Sequence, residues 1–78
     1  MTTDLTIKDI YFCSALLTMG AELDSVDRRD PQHIRFKFKG GDELKEIESE
    51  WINGTLTGSL SDYAESIRKI KSLIHARE

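Results

Sequence analysis

A single cysteine at position 13, a single proline at position 31 and two histidines, His33 and His75, are all that this 78-residue chain carries of those residue types. One cysteine cannot close an internal disulfide, and Cys13 with the two histidines has no recognisable zinc spacing. A disulfide scaffold and a structural metal site are therefore not expected. Long apolar runs are also missing. The longest, Ile10-Tyr11-Phe12-Cys13-Ser14-Ala15-Leu16-Leu17, falls far short of the roughly 20 residues that span a bilayer, so no membrane association is expected. Met1-Thr2-Thr3-Asp4-Leu5 has neither a basic n-region nor a small-residue cleavage pattern, and the expectation is a cytoplasmic protein with its thiol reduced. A positive excess is lacking as well: 11 Lys and Arg stand against 14 Asp and Glu, for a net charge of −3. That balance excludes the global basic charge of a nucleic-acid coat protein. No glycine-rich phosphate loop, internal repeat or low-complexity stretch is visible, and no cofactor is expected.

What is present fits one small folded domain. Hydrophobic residues make up 38% and charged residues 32%, the balance of a globular protein rather than a disordered tail. The sequence divides into a short N-terminal extension, 1–5, and a single domain, 6–78.

Thr6-Ile7-Lys8-Asp9 reads as a capping box, with the Thr6 hydroxyl at the N-cap and a carboxylate three residues on. The helix it opens is predicted to run to about Met19 and to close at Gly20. Its apolar side chains go nearly all the way round, which predicts burial on several sides. From Ala21 the period changes to two. Residues 21–25 alternate, and His33-Ile34-Arg35-Phe36-Lys37-Phe38-Lys39 alternates strictly, with Asp30-Pro31-Gln32 as turn chemistry between them. This predicts an antiparallel hairpin with Ile34, Phe36 and Phe38 inward and Arg35 and Lys37 outward. If Leu23 shares the inner face with Phe38, Glu22 lies opposite Lys39 and Asp24 opposite Lys37. Val26 would then point outward, which predicts a bulge nearby.

Asp42 is an N-cap candidate for a second helix, 43–53, with Leu44, Ile47 and Trp51 on one stripe and Asn53-Gly54 as its end. A third helix is predicted from about Ser61 to His75, with Leu60, Tyr63, Ile67, Ile70 and Ile74 as a narrow apolar seam. The fold class is therefore α+β, in the order helix, β-hairpin, helix, helix (αββαα), with a two-stranded antiparallel sheet packed on helices.

Few residues invite chemistry. Cys13 sits mid-helix among apolar residues and reads as core rather than as a nucleophile. His75, in the last turn of the third helix, suits a helix C-terminus. No catalytic residue is assigned, and the protein is read as a non-enzyme. The candidate nucleic-acid footprint is the outward row His33, Arg35, Lys37 and Lys39, with Arg28 and Arg29 at the turn. Glu22 and Asp24 on the neighbouring strand would neutralise part of it, no aromatic interleaves with it, and outward charge also protects a sheet edge. Trp51 is read as closing the core, with a partner hot spot as the alternative. A flank of the first helix around Phe12, Leu16 and Met19, or one around Tyr11 and Ala15, has no obvious cover, which makes it the candidate surface for a homodimer.

Asp9-Ile10-Tyr11-Phe12-Cys13-Ser14-Ala15-Leu16-Leu17 with Gly20 resembles a D-L-Y-L-A-A-F-L-x-x-x-G signature. Phe36-Lys37-Phe38 resembles an F-x-F strand, Trp51-Ile52-Asn53-Gly54 an aromatic-x-N-G helix end, and Tyr63 to Ile74 a closing helix of the same family. The family so resembled consists of small single-domain proteins of unknown function carried by bacteria, phages and other mobile elements, and the resemblance covers roughly residues 6 to 75. The chain departs from it at Cys13 and Ser14, where small apolar residues are usual, and in a longer polar turn around Asp30. The resemblance implies a small α+β domain, an accessory setting on mobile DNA and no catalytic residues. The function expected first is a non-enzymatic protein-interaction module with an unknown protein partner or a second copy. The alternative is a weak nucleic-acid binder acting through the basic hairpin face.

Overall fold

In the computed structural model, which describes residues 4–75, the chain runs β1 (Leu5–Ile7), α1 (Ile10–Thr18), β2 (Glu22–Asp27), β3 (Arg35–Lys39), α2 (Asp42–Asn53) and α3 (Leu60–His75). The class is α+β. The sheet has three antiparallel-paired strands in the order β1-β3-β2, not two, because Leu5–Ile7 adds to the free edge of β3. Leu5, assigned above to an N-terminal extension, is thus part of the sheet. Thr6 is not an N-cap but a strand residue opposite Lys37. The cap belongs to Asp9, whose carboxylate accepts from the Tyr11 backbone N–H at 2.9 Å and satisfies one donor that the first turn leaves open.

The register explains the core. Leu5 and Leu23 flank Phe38, while Ile7 and Val26 flank Phe36. Six apolar side chains therefore share one face of the sheet. Phe36 and Phe38, at its centre, have no exposed surface, and Ile34 is half-buried. Burying each phenylalanine stabilises the fold by about 1.5–3 kcal/mol. The expected bulge is present, between Leu23 and Ser25, with Asp24 as the extra residue. It reverses the parity of β2, so Val26 turns inward and Ser25, rather than Asp24, lies opposite Lys37. Asp30 organises the turn: its carboxylate accepts from the Gln32 N–H and its carbonyl from the His33 N–H.

Helix α1 is central, buried from Phe12 to Leu16. The Ser14 hydroxyl, fully buried, donates back to the Ile10 carbonyl at 2.6 Å, which meets its donor need inside the helix. Helix α3 packs along α1: the Thr18 hydroxyl donates to the Ser14 carbonyl and lies 3.0 Å from Ser66 Oγ, and the Tyr63 hydroxyl donates to the Tyr11 carbonyl. Helix α2 begins after Gly41, which is its N-cap, so Asp42 is the first helical residue and complements the dipole without capping it. It ends at Gly54, whose φ of 72° lies in the left-handed region that glycine enters without a Cβ penalty. Ser59 caps α3 by accepting from the Asp62 N–H. No helix among the described residues is long and apolar enough to cross a membrane.

Candidate functional site

Two surfaces carry the residues that the sequence singles out. The first is the outer face of the sheet, where parity places Thr6, Ser25, Asp27, Arg35, Lys37 and Lys39. Its cations are largely answered by carboxylates. Lys39 Nζ is 3.9 Å from Glu22 and 3.7 Å from Asp24, and Lys37 Nζ is 3.6 Å from Asp4. Arg29 grips Asp27 through two guanidinium nitrogens, at 3.0 and 2.8 Å, and His33 Nδ1 is 2.8 Å from Asp30. The Arg29 fork holds the Asp27 carboxyl down at about 2, and the His33 contact holds that of Asp30 below its ordinary value. Asp24 thus pairs with Lys39 rather than with Lys37, since the bulge has shifted it along the strand. Arg28 and Arg35 have no carboxylate partner among the described residues. The six basic residues of the row are not one continuous positive stripe. They form separate ion pairs around a smaller uncompensated patch.

The second surface is an apolar groove between α1, α2, the segment 55–59 and the start of α3. Ala15, Met19, Trp51, Leu56, Leu60 and Tyr63 line it. Leu60 is 85% exposed and Met19 41% exposed. The proposed dimer flank is placed differently from expectation. Phe12 and Leu16 are buried inside the protomer, because Trp51 of α2 packs on Phe12; only Met19 of that trio reaches the surface. Trp51 closes the core as expected, half-buried against Phe12, and its remaining surface lines the groove. Leu60, expected on the α3 seam, is the first helical residue and lies beyond its packing partners. Leu56 carried no periodic signal in the sequence, since it sits alone in a polar loop.

Cys13 is fully buried, its Sγ 3.8 Å from the Ile7 carbonyl, and burial pushes the thiol pKa up to about 12. Among the described residues no three His, Cys, Asp or Glu side chains converge as a metal-binding group.

A family model described as Domain of unknown function (DUF5659) matches residues 3–76. The chain belongs to this family. No curated protein and no solved structure matches it. Within this DUF5659 domain, the residues that carried the resemblance are structural: Asp9 caps α1, Phe36 and Phe38 fill the core, Trp51 packs on Phe12, and Gly54 ends α2. They are packing and capping positions.

Proposed function

We propose that this protein is a non-enzymatic, cytoplasmic interaction module whose groove receives an apolar segment of a partner protein with basic flanks. The observation that carries the reading is the groove itself: Trp51, Leu56 and Tyr63 form a floor, with Leu60 and Met19 left in water at its rim. Such a surface gains by being covered. The basic flanks follow from charge. Helix α2 carries Asp42, Glu43, Glu46, Glu48 and Glu50 against Lys45 alone, and Glu48 lies one turn from Trp51. Asp62 adjoins Tyr63 in the chain. A cationic segment approaching the groove meets the net negative charge of helix α2 beside it, which favours association and orientation. The self-neutralised row on the sheet supports this reading over the nucleic-acid one. The proposed setting among accessory genes of phages and other mobile elements rests on the resemblance alone.

The test uses two synthetic amphipathic peptides with identical leucine anchors at helical spacing, one flanked by lysines and one by glutamates. The lysine-flanked peptide should shift Trp51 fluorescence and bind at least about tenfold more tightly, the gap shrinking with salt. Leu60→Glu should abolish the shift while leaving the fold intact, because Leu60 contributes little to the core. Equal binding of both peptides, or no change at Trp51 with either, overturns the reading. So does a concentration-dependent dimer mass that Leu60→Glu dissociates, which would make the occupant a second copy.

A further inference from the structure

We infer that the outer face of the sheet holds a binding site for a single compact oxyanion of the phosphate class, centred on Arg28, Arg35 and Lys37. The site is a shallow concavity that draws on all three strands: Thr6 from β1, Ser25 and Asp27 from β2, Arg35 and Lys37 from β3, with Arg28 and Arg29 continuing from β2. Four cations line it against one carboxylate, Asp27, and that carboxylate is occupied by Arg29. Lys37 shares Asp4 at 3.6 Å, a distance long for a hydrogen bond, so its ammonium remains able to accept a second anion.

Arg28 supplies the second, independent observation. Its Nη1 is shut off from water and has no hydrogen-bond acceptor, the sole buried side-chain nitrogen or oxygen in that condition among the described residues. A buried guanidinium N–H without an acceptor is costly, and a turn of the half-buried Arg28 side chain into the concavity it lines relieves that cost when an anionic oxygen meets two points of the guanidinium fork. The hydroxyls of Thr6 and Ser25 stand on either side of Lys37 in the register, two further donors on one row. Hydroxyls beside guanidinium and ammonium groups suit a tetrahedral oxyanion with several equivalent oxygens. The extent of the patch limits the ligand. Carboxylates pair with Lys39 on one side and with His33 and Arg29 on the other, so the uncompensated charge covers one phosphate rather than a run of them.

The experiment is an amide-resolved NMR titration of the whole protein with inorganic phosphate, with glycerol 2-phosphate and, at matched ionic strength, with sodium chloride. Phosphate should produce saturable shifts at Thr6, Ser25, Arg28, Arg35 and Lys37 that chloride does not reproduce. Saturation by both phosphates marks a site open to phosphomonoesters; saturation by inorganic phosphate alone marks one closed around the free ion. Either supports the proposal. Arg28→Lys keeps the charge but loses the fork and should weaken binding by at least about tenfold. Arg35→Gln provides the same check should the Arg28 variant fold poorly, and Lys39→Gln should leave binding unchanged. Shifts that follow ionic strength alone, or that survive both arginine variants, overturn the site. So does an oligonucleotide that binds more tightly than phosphate and depends on Lys39 and His33, because it would make the surface a strand-binding face. The groove experiment does not involve these residues, and each proposal stands or falls by itself.

Discussion

The rings of Phe12 and Trp51 lie with centroids 5.6 Å apart and planes tilted by 33°, joining α2 to α1 on the flank that the hairpin and α3 leave uncovered. Helix α1 is apolar around most of its circumference, so this flank needs cover, and Trp51 supplies it within the protomer. Tilted aromatic pairs contribute about 0.5–1.5 kcal/mol beyond their buried area. Phe12→Ala should therefore cost about 3–5 kcal/mol and Trp51→Ala about 3 kcal/mol in urea denaturation. The double variant should fall short of their sum by about 1 kcal/mol. Strict additivity would mean that the rings do not act as a pair.

The parts of the fold that the sequence made readable are those where a period runs long enough to be unambiguous. Strict alternation from His33 to Lys39 identified β3, its inner face and the partnership of Leu23 with Phe38. Burial of Val26 could be reasoned to need a bulge, although the extra residue is Asp24, two positions earlier. Strand β1 was not readable. Three residues with Leu5 and Ile7 in and Thr6 out are too few for a period, and Thr6-x-x-Asp9 imitates a capping box. The difference decides the sheet, since a three-residue move of the cap from Thr6 to Asp9 frees Thr6 to pair with Lys37. The groove was legible only through Trp51 and Met19. Its other walls come from the loop residue Leu56 and from helix ends, where packing rather than pattern determines exposure.

Gly40 is a close-approach position. A methyl group there would overlap the side chain of Leu44, which is 3% exposed and belongs to the core. Gly40→Ala should cost about 1–3 kcal/mol by displacing Leu44. In a Leu44→Ala background the clash is gone, and the same substitution should cost much less. An equal penalty in both backgrounds would assign the effect to backbone conformation instead.

Cys13 links stability to alkaline pH. Its thiol titrates near 12 in the folded protein and near its ordinary 9.0 once unfolded. The folded state therefore holds a proton that the unfolded chain releases. Its contribution is complete below pH 9 and is lost as pH rises from 9 toward 12. Thermal unfolding of the protein and of Cys13→Ala should show a steeper alkaline decline for the protein with its cysteine. A thiol reagent at pH 8 should label Cys13 at the rate of unfolding, and rapid labelling of the native state would contradict its burial.

The bulge can be tested by deletion, because its removal and the removal of a neighbour have opposite consequences. Asp24 is the extra residue between the Leu23–Phe38 and Ser25–Lys37 pairs. Deleting it leaves every other pair in place and turns the ladder regular. The loss is its ion pair with Lys39, a surface contact worth about 0–1 kcal/mol. This variant should fold, with stability within about 1 kcal/mol of the parent and the Val26–Phe36 contact still visible as a nuclear Overhauser effect. Deleting Val26 keeps the same chain length but removes the residue that fills the place opposite Phe36. Asp27 then faces the core, or Ser25 does if the bulge is resorbed, and a polar group without a partner is buried beside the fully buried Phe36. Total stability for 78 residues is about 4–12 kcal/mol, and a buried carboxylate removes several of these. The expected result is a folded Asp24 deletion and an unfolded Val26 deletion by circular dichroism. Comparable loss in both would mean that the bulge is needed for strand twist rather than for register, and the parity that places Arg35, Lys37 and Ser25 on one face would require another cause.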